Sequence, residues 1–204
     1  QQYTENITVY RKPEGVFWDG KLEMVNAPLA NIQQECLLWQ VDSDELWTTE
    51  QICTGWDMFM AEPNRTAAYY LAHFFVAENL VTTTINTYGN NTSYEWLRTW
   101  RFKPGYRWMS HEPPRLCMLA QDGKWVDVAT IKPFTHWQTQ AKDMVFQHYA
   151  YVTKEQLRFK EIYYGYKNAT EQWQRLQECN DFPVLLRDYF AWVKDNAQVN
   201  TIQS

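Results

Sequence analysis

Two aspartates separated by one serine, Asp42 and Asp44, are the residues whose types and spacing most directly imply chemistry. Side chains alternate along an extended backbone, so both carboxylates fall on one side and can converge on one hard divalent cation, Mn or Mg. A cation held that way bridges two phosphates and neutralises the charge that builds on a departing diphosphate. The same acids also suit a plain acidic turn ahead of a helix starting near Thr48, and an Asp-x-Asp is too short to choose between the two.

Other residues have a plain reading by themselves. Glu112 follows His111 and precedes Pro113-Pro114, as a surface acid able to pair with Arg101 or Arg115 would. His148 shares a strand face with Phe146 and Ala150, which suits a core histidine. Lys21 and Asn26 lie somewhat more than one helical turn apart, which suits a helix surface. His111 reads as an orienting or packing residue, and His73 and His136 as structural.

These residues need elements to position them. Residues 7–10 read as a short strand, and 19–32 as a helix that Pro28 kinks or breaks, with Asp19 as candidate N-cap. The apolar run Cys36-Leu37-Leu38-Trp39-Gln40-Val41 has the pattern of a strand buried on both faces of a parallel sheet, which would put the acids at its C-terminal end. A helix capped by Thr48 or Thr49 runs to about Ala61. Strands follow over 66–76, 80–88, 96–102, 124–131 and 144–152, with a turn at Gly89-Asn90-Asn91, and the two prolines at 113–114 argue against a regular ladder there. Thr153 with Gln156 resembles a capping box that opens a helical C-terminal part, 153–204, ending in a helix over about 182–193. The order implies one α/β domain spanning 1–204.

Composition narrows the partners. The chain has 204 residues, with 19 basic and 24 acidic side chains and a net charge of -5, and carries no long basic run, which argues against nucleic acid. Aromatics make up 17% of it; their flat faces suit a nucleobase or the apolar face of a sugar, and equally an aromatic core. The four cysteines lack the short spacings of zinc sites and read as free, mostly buried thiols. No run approaches the roughly 20 apolar residues of a membrane span and no N-terminal block resembles a signal peptide, so the chain reads as soluble and cytoplasmic.

The Lys21-to-Asn26 helix, the buried strand, Val41-Asp42-Ser43-Asp44-Glu45, His111-Glu112 and the Phe146–Tyr151 segment together resemble family 2 glycosyltransferases of the GT-A fold, over about residues 7–175. The resemblance implies a Rossmann-like, mostly parallel sheet flanked by helices, lacking the family's first strand and helix. It further implies metal-assisted, inverting transfer of a sugar from a nucleotide-sugar to an acceptor hydroxyl. Asp44 and His148 would then hold the metal, Asp42, Lys21 and Asn26 the donor, and Glu112 would be the base. Two alternatives stay open: a catalytically inactive nucleotide-sugar- or carbohydrate-binding relative, and a metal-dependent phosphoryl or nucleotidyl transferase, the latter disfavoured by the lack of a Gly-rich phosphate loop.

Overall fold

The computed structural model describes residues 7–84 and 96–202. Strand β1 (Cys36–Trp39) is followed by β2 (Glu45–Leu46), a long β3 (Ala67–Ala77), β4 (Leu80–Thr84) and β5 (Trp96–Phe102). After these come β6 (Arg107–His111), β7 (Pro114–Leu119), β8 (Trp125–Asp127), β9 (Val145–His148), β10 (Val184–Leu185) and β11 (Gln198–Thr201). The helices are α1 (Gly20–Asn26), α2 (Thr49–Ala61), α3 (His136–Gln140), α4 (Lys154–Tyr164) and α5 (Ala169–Gln177).

The mostly parallel, Rossmann-like sheet does not form. The large sheet runs β1-β5-β3-β4-β11-β10, with β9 on β3 and β2 on β9, and β6-β7-β8 make a small second sheet. All these pairings are antiparallel except β3 with β9, which is accompanied by a parallel bridge from Ala68 to Phe134. The physical reason lies in the connections: Glu78-Asn79 joins β3 to β4 and Glu112-Pro113 joins β6 to β7, whereas a parallel pair needs a crossover of a dozen or more residues. The apolar run at 36–41 is an edge strand, β1, half-buried and antiparallel to β5. The strand buried on both faces is β3, whose alternate residues Ala68, Tyr70, Ala72, Phe74 and Val76 all enter the main core.

Other local expectations divide in the same way. Pro28 does break the first helix: α1 stops at Asn26 and a 3-10 turn covers Pro28–Asn31, although Asp19 caps nothing with its side chain. Thr48 and Thr153 form full capping boxes with Gln51 and Gln156, and Thr135 with Gln138 forms a third that sequence reading passed over. Residues 7–10 are irregular, and the prolines at 113–114 turn a hairpin rather than ending a ladder. The C-terminal part does not end on a helix; Val184–Leu185 and Gln198–Thr201 pair with each other, and β11 also pairs with β4. The Gly89-Asn90-Asn91 turn and the end of the 80–88 strand lie outside the described residues. Among the described residues no helix is long and apolar enough to cross a membrane, and the four cysteines are free, but only Cys117 is buried, with Cys53 exposed and Cys36 and Cys179 half-buried.

Two hydrophobic clusters back the sheet. The larger gathers α4, α5 and the C-terminal segment on β3, the smaller joins β5 to β6, β7 and the 3-10 turn Val128–Thr130. Trp39 and Trp47 bracket the Asp42–Asp44 segment and meet edge to face at 5.0 Å, with Tyr70 and Phe146 beneath Trp47 at 4.9 and 4.7 Å. Gly55 of α2 lies against this block: a Cβ there would stand 2.6 Å from Trp39 Cη2 and 2.9 Å from Met144 Cε. Helix propensity alone would make Gly55→Ala stabilising by about 1 kcal/mol. Overpacking reverses the sign, so denaturant titration is expected to show a loss of about 1–3 kcal/mol, and a gain would contradict this packing.

Candidate active-site cleft

The acidic segment is a turn, not an extended stretch. Glu45 donates its backbone N–H to Asp42 O at 3.0 Å, and β2 then pairs with β9 so that Glu45 sits opposite His148. The Asp44 carbonyl accepts from Tyr149 N at 2.8 Å, which locks the turn to β9. The two carboxylates therefore diverge. Asp44 Oδ2 lies 3.3 Å from His148 Nε2, whereas Asp42 Oδ2 faces Arg98 Nη2 at 3.4 Å.

His148 is held by rings on three sides, with Phe74 at 4.8 Å, Trp96 at 5.1 Å and Phe146 at 6.4 Å, the last on the same face of β9. Its Nδ1 is buried without a hydrogen-bond partner, so Nε2 is the nitrogen turned toward Asp44. Hydrogen bonding to His148 holds the Asp44 carboxyl below the usual aspartate range against the opposing effect of burial.

Behind the turn lies a pair that sequence reading missed. Arg98, from β5, grips Glu45 with Nε at 2.9 and 3.1 Å and Nη2 at 2.6 Å. The Glu45 side chain is 0% exposed and that of Arg98 8%. The sequence did carry a signal: Arg98 interrupts Trp96-Leu97-Arg98-Thr99-Trp100, and a charge inside an otherwise apolar strand requires a buried partner.

The remaining groups face the turn from other elements. Lys21 of α1 binds Glu112 Oε1 at 3.1 Å, and His111 Nδ1 stands 3.9 Å from the same oxygen. Bonding to Glu112 raises the Lys21 ammonium above its ordinary value. Lys160 of α4, also unnoticed in the sequence, faces the same space with Tyr151, Tyr164 and Tyr166. Together these side chains line one cleft of about 690 Å³ that contains Lys21, Asp42, Asp44, Glu112 and His148.

Asn26 stands apart from this cleft. Its amide bridges the backbone of Trp108 in β6, donating to the carbonyl at 3.0 Å and accepting from the N–H at 2.9 Å, and so stitches α1 to the small sheet. His136 caps no site in the cleft either; it lies in α3, and His73 bonds Thr83 at 3.0 Å.

Asp44 Oδ2 and His148 Nε2, in hydrogen-bond contact with each other, are the two side-chain donors that would hold a divalent cation in this cleft. Ligand bonds of about 2.1 Å at right angles put donor atoms about 3 Å apart, close to the observed 3.3 Å. No group of three or more His, Cys, Asp or Glu able to hold a metal occurs among the described residues, so two protein donors are available and phosphate and water oxygens would complete the shell, as magnesium commonly accepts. Compared with family models, with curated proteins and with solved structures, the chain shows no match to any of them.

Proposed function

We propose that the cleft transfers a sugar from a nucleotide-sugar donor to an acceptor hydroxyl with inversion. The observation that carries this reading is the contact of Asp44 with His148, far apart in sequence, in a cleft that also holds Glu112. A divalent cation bound by that pair would supply charge neutralisation to the diphosphate leaving group. Asp42, about half exposed at the same turn and paired with Arg98, lines the cleft with Lys21, and in this reading both meet the donor.

In this reading Glu112 acts as the base. In the transfer, the acceptor oxygen bonds to the anomeric carbon, the bond from that carbon to the diphosphate oxygen breaks, and the acceptor proton passes to a carboxylate. The Glu112 side chain is 63% exposed and reachable by an acceptor arriving from solvent. Glu45 cannot serve, since both its oxygens are engaged by Arg98 in the interior. Tyr163 and Phe159 of α4 stack at 5.2 Å on the exposed side next to Tyr164, a flat aromatic surface suited to a sugar ring.

Calorimetry with a panel of sugar nucleotides and manganese tests the donor side. Asp44→Ala is expected to abolish the manganese-dependent part of binding, a loss of about tenfold or more, and Asp42→Ala to weaken it less. Asp42 is exposed at the turn, so Asp42→Ala should melt near the wild type, whereas Asp44 is half-buried and bonded to His148, so Asp44→Ala should melt somewhat lower. Equal binding by all three proteins would overturn the donor assignment. Metal-dependent binding without turnover would instead favour the non-catalytic binding module.

A further inference from the structure

We propose that Lys160 is the cation that receives the diphosphate of the donor, a role that rests on the transfer reading above. Lys160 lies on α4 one helical turn before Tyr164, and both side chains line the cleft. Leu157, one turn earlier, is fully buried in the main core, and the Thr153–Gln156 capping box fixes the helix start, so the lysine is carried on a rigid support.

Its surroundings are unusual for an ammonium. Charges removed from water are normally paired. The Lys160 ammonium makes no hydrogen bond or ion pair with a described residue; it stands over the rings of Tyr151 and Tyr164, 5.4 and 5.3 Å from their centroids. Asp44 and Glu112 stabilise its charge electrostatically and Lys21 opposes it, yet burial outweighs them and lowers the ammonium below the ordinary lysine range. The other cations of the cleft are committed, Lys21 to Glu112 and Arg98 to Glu45. Among the described lysines and arginines that line the cleft, Lys160 is thus the one that makes no hydrogen bond or ion pair. A phosphate oxygen supplies what this ammonium lacks, a short charge-assisted hydrogen bond in a partly desolvated place.

Magnesium pyrophosphate, titrated calorimetrically at fixed ionic strength, isolates this role from sugar recognition. Lys160→Met is expected to weaken pyrophosphate binding about tenfold or more, and Lys160→Arg to stay within about threefold of the wild type. The methionine variant should melt at or above the wild-type temperature, because it removes an unpaired, partly buried charge, so loss of binding cannot be ascribed to unfolding. Pyrophosphate binding by Lys160→Met equal to that of the wild type, or no binding by the wild type, overturns the proposal. If the lysine-dependent pyrophosphate site appears while no sugar nucleotide binds, the anion site stands and the transfer reading falls. If sugar nucleotides bind Lys160→Met as they bind the wild type, the transfer reading stands and Lys160 has no part in it.

Discussion

Glu112→Gln is expected to lower turnover by about 10²- to 10⁴-fold while leaving affinity for the nucleotide-sugar unchanged. A general base acts only in the transition state, so its removal cuts the rate without touching ground-state binding of the donor. The amide is isosteric and still accepts from Lys21 Nζ, now 3.1 Å from Glu112 Oε1, which keeps α1 and the β6–β7 turn in place. The exposed ion pair itself contributes little to stability, so the folded protein should be nearly as stable as before. Steady-state kinetics together with donor calorimetry separate the two quantities. Near-normal turnover would make Glu112 a surface partner of Lys21 and no more.

Arg98→Met carries the largest expected effect on folding. Removing one member of a buried ion pair strands the other, and the usual cost is about 3–5 kcal/mol. Glu45 is fully enclosed and takes three hydrogen bonds from Arg98, so little water can replace what is lost. The double variant Arg98→Met/Glu45→Met should recover much of the loss, since it leaves no uncompensated charge. Urea unfolding of the two single variants and the double completes the cycle. A single-variant loss below about 1 kcal/mol would mean that Glu45 finds another partner, and would contradict the reading of this pair as a buried, mutually dependent one.

Much of the cleft was legible in the residues themselves, because acids and a histidine beside ordered strands are visible as types. Asp42, Asp44, Glu112, His148 and Lys21 converge although they come from the β1–β2 turn, the β6–β7 turn, β9 and α1. Asn26 was visible too, but nothing in its type distinguishes a ligand-facing amide from one that bridges the Trp108 backbone. Lys160 was hidden because a lysine on an amphipathic helix ordinarily faces solvent; the ring of Tyr151, which follows β9, joins that of Tyr164 on the same helix to enclose it.

Strand direction was the main thing that could not be read from apolar runs. Cys36–Trp39 and Ala67–Ala77 both look like buried strands, and neither pattern encodes which neighbour lies alongside or which way it runs. The two-residue connections at Glu78-Asn79 and Glu112-Pro113 held that information, since so short a link permits only antiparallel neighbours. The C-terminal segment failed for another reason. Leu186, Phe190 and Val193 are buried at spacings of three and four, which suits a helix, yet they are anchored by a 3-10 turn and the chain then leaves to form β11.

Release of nucleoside diphosphate from a panel of sugar nucleotides tests the central claim most directly. With manganese present, at least one donor is expected to be cleaved by the wild type, slowly with water and faster once an acceptor is supplied, and chelation should stop the reaction. Failure of every donor to bind or to be cleaved, with and without metal, would contradict glycosyl transfer at this cleft.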